Sequence, residues 1–276
     1  MARSLIQQLN GKLQRSFLLG SKYCVQRLQV QPSARLTAFV AGVQRSGTNM
    51  MMDVLERSYS TEVFHERDQR AFDNYLMRPV PEIRQLHAQS RASVFVIKAL
   101  CELQRLSGLM DEFRPARTVW VVRNYDDVVN SMLVSFRNHA KQIQRMARDR
   151  SSDGWRGEGM SDATHALVRR LTHAELSDAS AAALMWYLRN VLFFEQDLDT
   201  SADVIVVPYE RLVTAPAVEF RRVFAFLGLD YTPRVNANVF PSSIRRRPPP
   251  AIDPAIREVC DALTARFDGL AGPRGG

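Results

Sequence analysis

The chain of 276 residues carries 37 Lys and Arg against 29 Asp and Glu, a net charge of +8, and 46% of its residues are hydrophobic. This composition excludes disordered, collagen-like and disulfide-scaffold proteins, and no segment approaches the roughly 20 apolar residues that a membrane-spanning helix needs. The excess of positive charge fits a nucleic acid, a membrane surface or a small anionic ligand as the partner.

The positive charge is concentrated in a basic N-terminal arm, residues 1–35. The arm has six basic residues and no acidic one, and the first acid of the chain is Asp53. The rest holds 31 basic and 29 acidic side chains, a balance that does not favour nucleic acid. We therefore predict this arm and one domain over 36–276. Helical spacing of the arm's apolar residues leaves a docked helix, a solvated extension, a targeting peptide and a membrane-surface helix open.

Three widely spaced cysteines, Cys24, Cys101 and Cys260, form no metal-binding pattern such as CxxC. An odd number of isolated thiols is typical of a protein in a reducing compartment. The sequence therefore predicts free thiols, a cytoplasmic location and no structural metal.

Four short apolar segments, each followed by a helical pattern, organise the rest of the chain. The predicted strands are 36–43, 93–98, 118–122 and 203–207. Continuous apolar runs are typical of strands buried on both faces, and strands that alternate with helices form parallel sheets. The predicted fold class is α/β, with a central parallel sheet flanked by helices.

A glycine loop follows the first predicted strand. Gly42 and Gly47 are separated by four residues, as in the phosphate-binding loop of nucleotide hydrolases. Such a loop directs backbone N–H groups at an anion, and the following helix dipole assists. Thr48 and Asn49 stand where those hydrolases have Lys and then Ser or Thr, so the usual phosphate clamp and magnesium ligand are missing. The pattern favours a phosphate-bearing ligand that is handled without a metal.

A second candidate site follows the third predicted strand. Arg123 stands just beyond the carboxyl end of the strand, where open parallel sheets bind ligands, and Ser131 lies eight residues later in the next predicted helix. If that helix folds back over the strand end, both side chains reach one phosphate group.

Together, GVQRSGTN after the first strand and VVRNYDDVVNSM after the third resemble the P-loop sulfotransferases. These enzymes use 3′-phosphoadenosine 5′-phosphosulfate (PAPS). The segments PYERLV at 208–213 and PSSIRRR at 241–247 are similar to two further family segments. The motif style is closest to tyrosylprotein-type sulfotransferases and to bacterial sulfotransferases of carbohydrates and small molecules. The resemblance implies a P-loop-type three-layer sandwich.

The resemblance also assigns residues to the nucleotide. It places the 5′-phosphosulfate on the glycine loop, the 3′-phosphate on Arg123 and Ser131, and the PSSIRRR segment over the nucleotide. The implied cofactor-binding residues are Gln44, Arg45, Ser46, Gly47, Thr48, Asn49, Arg123, Ser131, Tyr209, Ser242, Arg245, Arg246 and Arg247.

The chemistry implied is transfer of a sulfuryl group to an acceptor hydroxyl by in-line displacement, without a metal. Arg45 and Lys98 are the candidates for stabilising charge on the leaving oxygen. A general base must take the hydroxyl proton, and the family pattern points to Glu66, with His65 as the rival. The resemblance places the acceptor pocket in variable loops, here residues 64–90 and 135–180. The acceptor class stays open between sugar, lipid, peptide and small molecule, as does the oligomeric state.

Two other function classes remain open from the sequence. One is a P-loop nucleotide kinase or NTPase, which the missing loop Lys disfavours. The other is a non-catalytic module that binds through its basic arm, with membrane-surface contact as one form of that binding.

Overall fold

The computed structural model describes residues 2–28, 34–241 and 244–272, with side chains from residue 15 onward in the first helix. Strands in chain order are β1 Leu36–Ala41, β2 Thr61–Phe64, β3 Phe72–Asp73, β4 Leu76–Met77, β5 Val94–Ala99, β6 Ala116–Val122 and β7 Val204–Pro208. Helices are α1 Ala2–Leu28, α2 Thr48–Glu56, α3 Val80–Gln89, α4 Leu106–Glu112, α5 Tyr125–Ser135, α6 His139–Arg148, α7 Asp162–Leu171, α8 Asp178–Asn190, α9 Leu192–Glu195, α10 Tyr209–Thr214, α11 Pro216–Phe226 and α12 Pro254–Leu270.

Five parallel strands form the main sheet of the described chain, in the order β2-β5-β1-β6-β7. The apolar sequence LTAFVA places β1 in the middle, where all residues after Leu36 are buried. Since all five strands run the same way, their carboxyl ends share one edge of the sheet. The glycine loop after β1 and the Arg123 segment after β6 therefore lie side by side.

Helices cover both faces of this sheet. Alternate β1 residues enter two separate cores: Phe39 and Ala41 face one, Ala38 and Val40 the other. The first core is closed by helices that include α5, α6, α8 and α12, and the second by α2, α10 and α11. This arrangement confirms the predicted α/β fold with a central parallel sheet between helices.

The four predicted strands match β1, β5, β6 and β7 to within a few residues. Two features were not predicted: the edge strand β2, and a small antiparallel hairpin of β3 and β4 with Asn74 and Tyr75 at its turn. Both have a part in the site, because β2 leads into Glu66 and the hairpin turn reaches the same cleft.

The second half of α1 is docked against the α2–β2 connection. Arg15 makes a bidentate pair with Glu56, with both nitrogen-to-oxygen distances 2.7 Å. Lys22 is buried and donates to the Glu56 backbone oxygen at 2.7 Å, and Gln26 donates to the backbone oxygens of Tyr59 and Thr61. Among the basic side chains of the arm that the structure describes, Arg15, Lys22 and Arg35 thus have partners beyond residue 35. In the described chain, no helix combines the length and the apolar character needed to cross a membrane.

Candidate active site

The glycine loop between β1 and α2 is tightly enclosed. Gly42, Arg45 and Gly47 have φ values of 141°, 71° and 99°, which place all three in the positive-φ range. A Cβ at Gly42 would lie 2.4 Å from the Val121 carbonyl oxygen, and one at Gly47 would lie 2.2 Å from the Tyr209 ring. Neither position tolerates a side chain. The loop therefore packs directly on β6 and α10 and presents the N-terminus of α2 to the cleft.

A buried ammonium group lies beside the loop. Lys98 is 2% exposed, and its Nζ donates to Glu66 Oε2 at 2.5 Å and to Asn49 Oδ1 at 2.6 Å. Burial lowers the pKa of Lys98, while the adjacent Glu66 carboxylate opposes that shift. The structure thus joins two of the predicted catalytic residues, Lys98 and Glu66, to the loop residue Asn49.

His65 faces away from this cluster. Its Nε2 lies 3.2 Å from Glu56 Oε1, and its Nδ1 lies 4.0 Å from Asp53 Oδ1. Burial would raise the pKa of Glu56, but hydrogen bonds from His65 and Arg15 outweigh it and lower that pKa to about 2. His65 therefore connects the end of β2 to α2, and it is not among the residues that line the cleft.

The second predicted motif meets the loop directly. Arg45 Nε donates to Ser131 Oγ at 2.8 Å, and Arg123 Nη1 donates to the Arg45 backbone oxygen at 3.3 Å. The Arg123 guanidinium lies 4.4 Å from the centre of the Tyr209 ring, and its Nη2 is 3.7 Å from Asp127. Arg45 and Ser131 are 86 residues apart in the sequence. Their contact brings the two segments together into one cationic surface.

The C-terminal basic segment closes over the same surface. The Arg245 backbone N–H donates to the Asp127 carboxylate at 3.1 Å, so this residue contributes an anchor through its backbone. Arg246 and Arg247 line a cavity of about 300 Å³ together with Arg45, Arg123 and Ser131. The predicted site residue Ser242 lies outside the described residues.

A larger cleft of about 680 Å³ adjoins this cavity, and Arg45 and Arg123 line both. Its near wall contains Gln44, Gly47, Thr48, Asn49, Lys98 and Tyr209. Ser46 is absent from this lining: it is buried, and its Oγ has no hydrogen-bond partner among the described residues.

The part of the lining that we call the far wall comes from the two loop segments, 64–90 and 135–180, where the acceptor pocket was expected, but its individual residues were not predicted. That wall includes Arg67, Asn74, Tyr75, Trp155 and Arg156. The turn sequence DNY was the one local signal for the hairpin, since Asn favours the left-handed conformation of tight turns. Nothing local connects the GWRGEG loop with this cleft.

The combined geometry suits a ligand with two separated anionic groups. Arg45, Lys98 and Arg123 supply positive charge to the cleft, and Glu66 supplies a carboxylate in the same lining. Cations and a carboxylate in one cleft permit charge stabilisation on a leaving group and proton removal from a second reactant.

Comparison with known proteins gives the family. The model of the sulfotransferase domain matches residues 37–244. Similar solved structures include the sulfotransferase domain of a Synechococcus olefin synthase, with 14% identity and a TM-score of 0.49, covering 85% of this chain and 98% of that one. A sulfotransferase from Alicyclobacillus acidocaldarius has 17% identity and a TM-score of 0.47, and the match covers 86% of this chain and 94% of that one. A mouse sulfotransferase in complex with PAP has 15% identity and a TM-score of 0.44, and the match covers 92% of this chain and 87% of that one.

No curated protein sequence matches the chain. The family match spans both phosphate-site motifs and reaches into the C-terminal basic segment. It covers about three quarters of the chain, including β1 to β7 and the helices between them. The chain belongs to the sulfotransferase domain family and is a sulfotransferase.

Proposed function

We propose that this sulfotransferase transfers the sulfuryl group of PAPS to an acceptor hydroxyl without a metal ion. Sulfotransferases of this family use PAPS. The observation that carries the proposal is the Lys98–Glu66–Asn49 cluster beside the loop, joined through Arg45 to Ser131 and Arg123. A carboxylate for the acceptor proton and cations for the donor are thus held in one cleft.

The residues present fit the nucleotide at both of its anionic ends. Backbone N–H groups of the loop and the start of α2 would hold the 5′ end, where the buried Ser46 Oγ lacks a partner among the described residues. Ser131, Arg123, Arg246 and Arg247 would hold the 3′-phosphate in the smaller cavity. Arg side chains suit this role because their donors match phosphate oxygens.

Bound PAPS supplies the sulfuryl group, whose bond to the phosphate oxygen breaks as a bond to the acceptor oxygen forms. The Glu66 carboxylate accepts the proton of the acceptor hydroxyl. Lys98 and Arg45 stabilise the negative charge that the phosphate oxygen gains with the bonding electron pair. Residues on rigid elements hold these groups in position, so much of the rate enhancement derives from orientation and electrostatics.

Glu66 is the better general base of the two candidates. It lines the cleft and contacts Lys98 at 2.5 Å, whereas His65 is bound to Glu56 on the other side. A base must be within hydrogen-bond reach of the proton that it removes, and the position of Glu66 meets that condition best.

The metal-free mechanism is supported by the position that follows Thr48. In P-loop hydrolases a hydroxyl at this position binds magnesium. Here Asn49 occupies it, and its side-chain oxygen accepts a hydrogen bond from Lys98. The ammonium group therefore supplies positive charge beside the loop. Because Thr48 and Asn49 replace the loop Lys and the magnesium-binding hydroxyl, the kinase and NTPase alternatives are left unsupported.

We further infer a reducing compartment such as the cytoplasm, because Cys24, Cys101 and Cys260 are free thiols and two of them are buried. The division at residue 35 and the membrane contact of the arm stay predictions. The exposed apolar side chains of Phe17 and Leu28 in α1, at 79% and 88% exposure, support the membrane contact. The acceptor class stays open among sugar, lipid, peptide and small molecule.

Calorimetric titration with 3′,5′-ADP (PAP) and with 5′-AMP, in buffer containing EDTA, tests this function. We expect PAP to bind at least about tenfold more tightly than 5′-AMP, since we assign Arg123, Ser131 and the C-terminal arginines to the 3′-phosphate, which 5′-AMP lacks. EDTA should leave both affinities unchanged. Labelled PAPS then reports transfer to candidate acceptors. Equal affinities, or no binding of PAP, would overturn the proposal.

A further inference from the structure

Two arginines on the far wall of the cleft are left over once the donor nucleotide is assigned. Arg67 follows Glu66 in the chain, and Arg156 lies in the loop between α6 and α7. Both line the same 680 Å³ cleft as Lys98 and Glu66. The proposed nucleotide contacts use Arg45, Arg123 and the C-terminal arginines instead. Hence two positive charges face the space where the acceptor must bind.

These two charges have no carboxylate partner in the described part of the chain. No Asp or Glu oxygen there lies within 4.0 Å of Arg67 or Arg156. Glu66, the one carboxylate among the described residues that line the cleft, is already paired with Lys98. In contrast to Arg67 and Arg156, other arginines of the described chain are paired with carboxylates, for example Arg70 with Asp68 and Arg145 with Asp153. The cleft therefore has a local excess of positive charge.

Arg156 is held in place by its surroundings. Its guanidinium lies 4.6 Å from the centre of the Trp155 ring, and the buried Arg189 lies 5.1 Å from the same ring. Arg189 also donates to the Trp155 backbone oxygen at 2.7 Å and so fixes the loop. Such packing positions a guanidinium before a ligand arrives and lowers the entropy that binding costs.

The hairpin turn adds a second fixed element to this wall. Asn74 and Tyr75 have φ values of 47° and 68°, as the two central residues of a two-residue hairpin turn require. Both residues line the cleft, as Arg67 does. The pairing of β3 with β4 therefore holds this part of the wall in place.

We propose that the acceptor is an anionic hydroxyl compound whose carboxylate, sulfate or phosphate group is bound by Arg67 and Arg156. This inference rests on the proposed function. Arg67 is the neighbour of the proposed base, so an acid group bound there lies on the acceptor that presents its hydroxyl to Glu66. Guanidinium groups bind all three oxyanions through paired N–H donors.

Isosteric acid and amide pairs test the charge requirement. The probes are D-glucuronate against D-glucuronamide, and 4-hydroxyphenylacetate against its amide, each titrated into the enzyme saturated with PAP. We expect the acid to bind at least about tenfold more tightly than the amide in one pair or both. Glucose 6-phosphate and glucose 6-sulfate, compared with glucose, identify which anion is preferred.

Variants separate the acceptor site from the donor site. Arg67→Gln, at an exposed position, and the Arg67→Gln/Arg156→Gln double variant should lose the preference for the acid while PAP affinity changes less than about threefold. The control Arg91→Gln/Arg170→Gln removes the same charge at two exposed positions outside the cleft and should keep the preference.

The outcomes distinguish the two proposals. Failure of the wild-type enzyme to bind PAP contradicts the proposed function. Normal PAP binding with no acid preference in either pair, or with a preference that persists in both arginine variants, overturns the anionic acceptor. Loss of PAP affinity in Arg67→Gln also overturns it, because the arginine would then serve the nucleotide.

Discussion

Glu66 and His65 are neighbours in the sequence but have different partners in the fold. Glu66 contacts Lys98 in the cleft, and His65 contacts Glu56 beneath the docked arm. The chain leaves β2 after Phe64 and enters a turn, in which the Asp68 N–H donates to the His65 backbone oxygen at 2.8 Å. The sequence identified both residues, and the structure separates their surroundings.

Glu66→Gln should lower the rate of sulfuryl transfer by at least about 100-fold, because the amide cannot accept the acceptor proton. PAP affinity should change less than about threefold. His65→Gln should keep most of the rate, since its ring lies outside the cleft lining. Single-turnover transfer from labelled PAPS measures both rates. If Glu66→Gln stays near the wild-type rate, Glu66 is not the base.

Ser131→Ala should weaken PAP binding by about tenfold and leave 5′-AMP binding within about twofold. The Ser131 hydroxyl accepts from Arg45 Nε at 2.8 Å and lines the cavity that we assign to the 3′-phosphate. Loss of this group removes one phosphate hydrogen bond and one restraint on Arg45. Calorimetry with both nucleotides measures the difference. Ser93→Ala, at an exposed position far along the chain from both motifs, is the control; equal losses for the two nucleotides would rule out a 3′-phosphate site here.

At the level of elements, the strands with apolar runs were predictable and the short edge strand β2 was not. The central strands β1, β5 and β6 are buried on both faces and are mostly apolar, and the edge strand β7 was predictable from its run VIVV. β2 has only four residues, TEVF, with the polar Glu62 inside it. Such a segment becomes a strand through its pairing with β5, which is a tertiary contact.

The candidate site shows the same division between local and long-range information. The glycine loop and the Arg123–Ser131 pair were predictable because each is a local pattern of spacing around one strand end. For the far wall the sequence indicated only the two loop segments, and not Tyr75, Trp155 or Arg156, because the fold brings these residues to the loop from distant positions. A docked helix was one of the alternatives for the arm, but its partner was not predictable, since Arg15 meets Glu56 across 41 positions.

Glu56, which anchors the docked arm, makes the free energy of unfolding depend on pH in the acid range. Its pKa is about 2 in the folded protein, below the ordinary value of 4.5. A carboxyl whose pKa is lowered by folding stabilises the fold above its unfolded pKa, and this contribution is lost as pH falls from 4.5 to 2. Arg15 and His65, the two partners of Glu56, are therefore expected to contribute to stability at neutral pH.

Glu56→Gln should lower the free energy of unfolding at pH 7 by about 2 kcal/mol and flatten its pH dependence between pH 4.5 and 2. Urea titrations across this pH range provide the measurement. The matched change Glu258→Gln, at an exposed position in α12, should leave the curve unaltered. A variant curve that still follows the wild-type slope would show that the arm does not anchor on an ionised Glu56.

For the whole molecule, the position of charges matters more than their sum. The domain after the arm is nearly neutral, yet its cleft holds Arg45, Lys98 and Arg123 from three different strand ends. The smaller cavity adds Arg246 and Arg247 from the C-terminal segment. An anionic nucleotide bound there would connect β1, β5, β6 and the C-terminal segment, and so would oppose global unfolding.

PAP at 100 times its dissociation constant should therefore stabilise the folded enzyme by about 2.7 kcal/mol, and raise the melting temperature by roughly 5 °C for a chain of this size. The rise should persist in EDTA, because Lys98 rather than a metal supplies the charge beside Asn49. At the same concentration 5′-AMP should give a much smaller rise, and so should PAP with Arg123→Ala. Differential scanning calorimetry measures these melting temperatures. If PAP raises the melting temperature only when magnesium is present, the proposal that the loop binds the nucleotide without a metal ion is wrong.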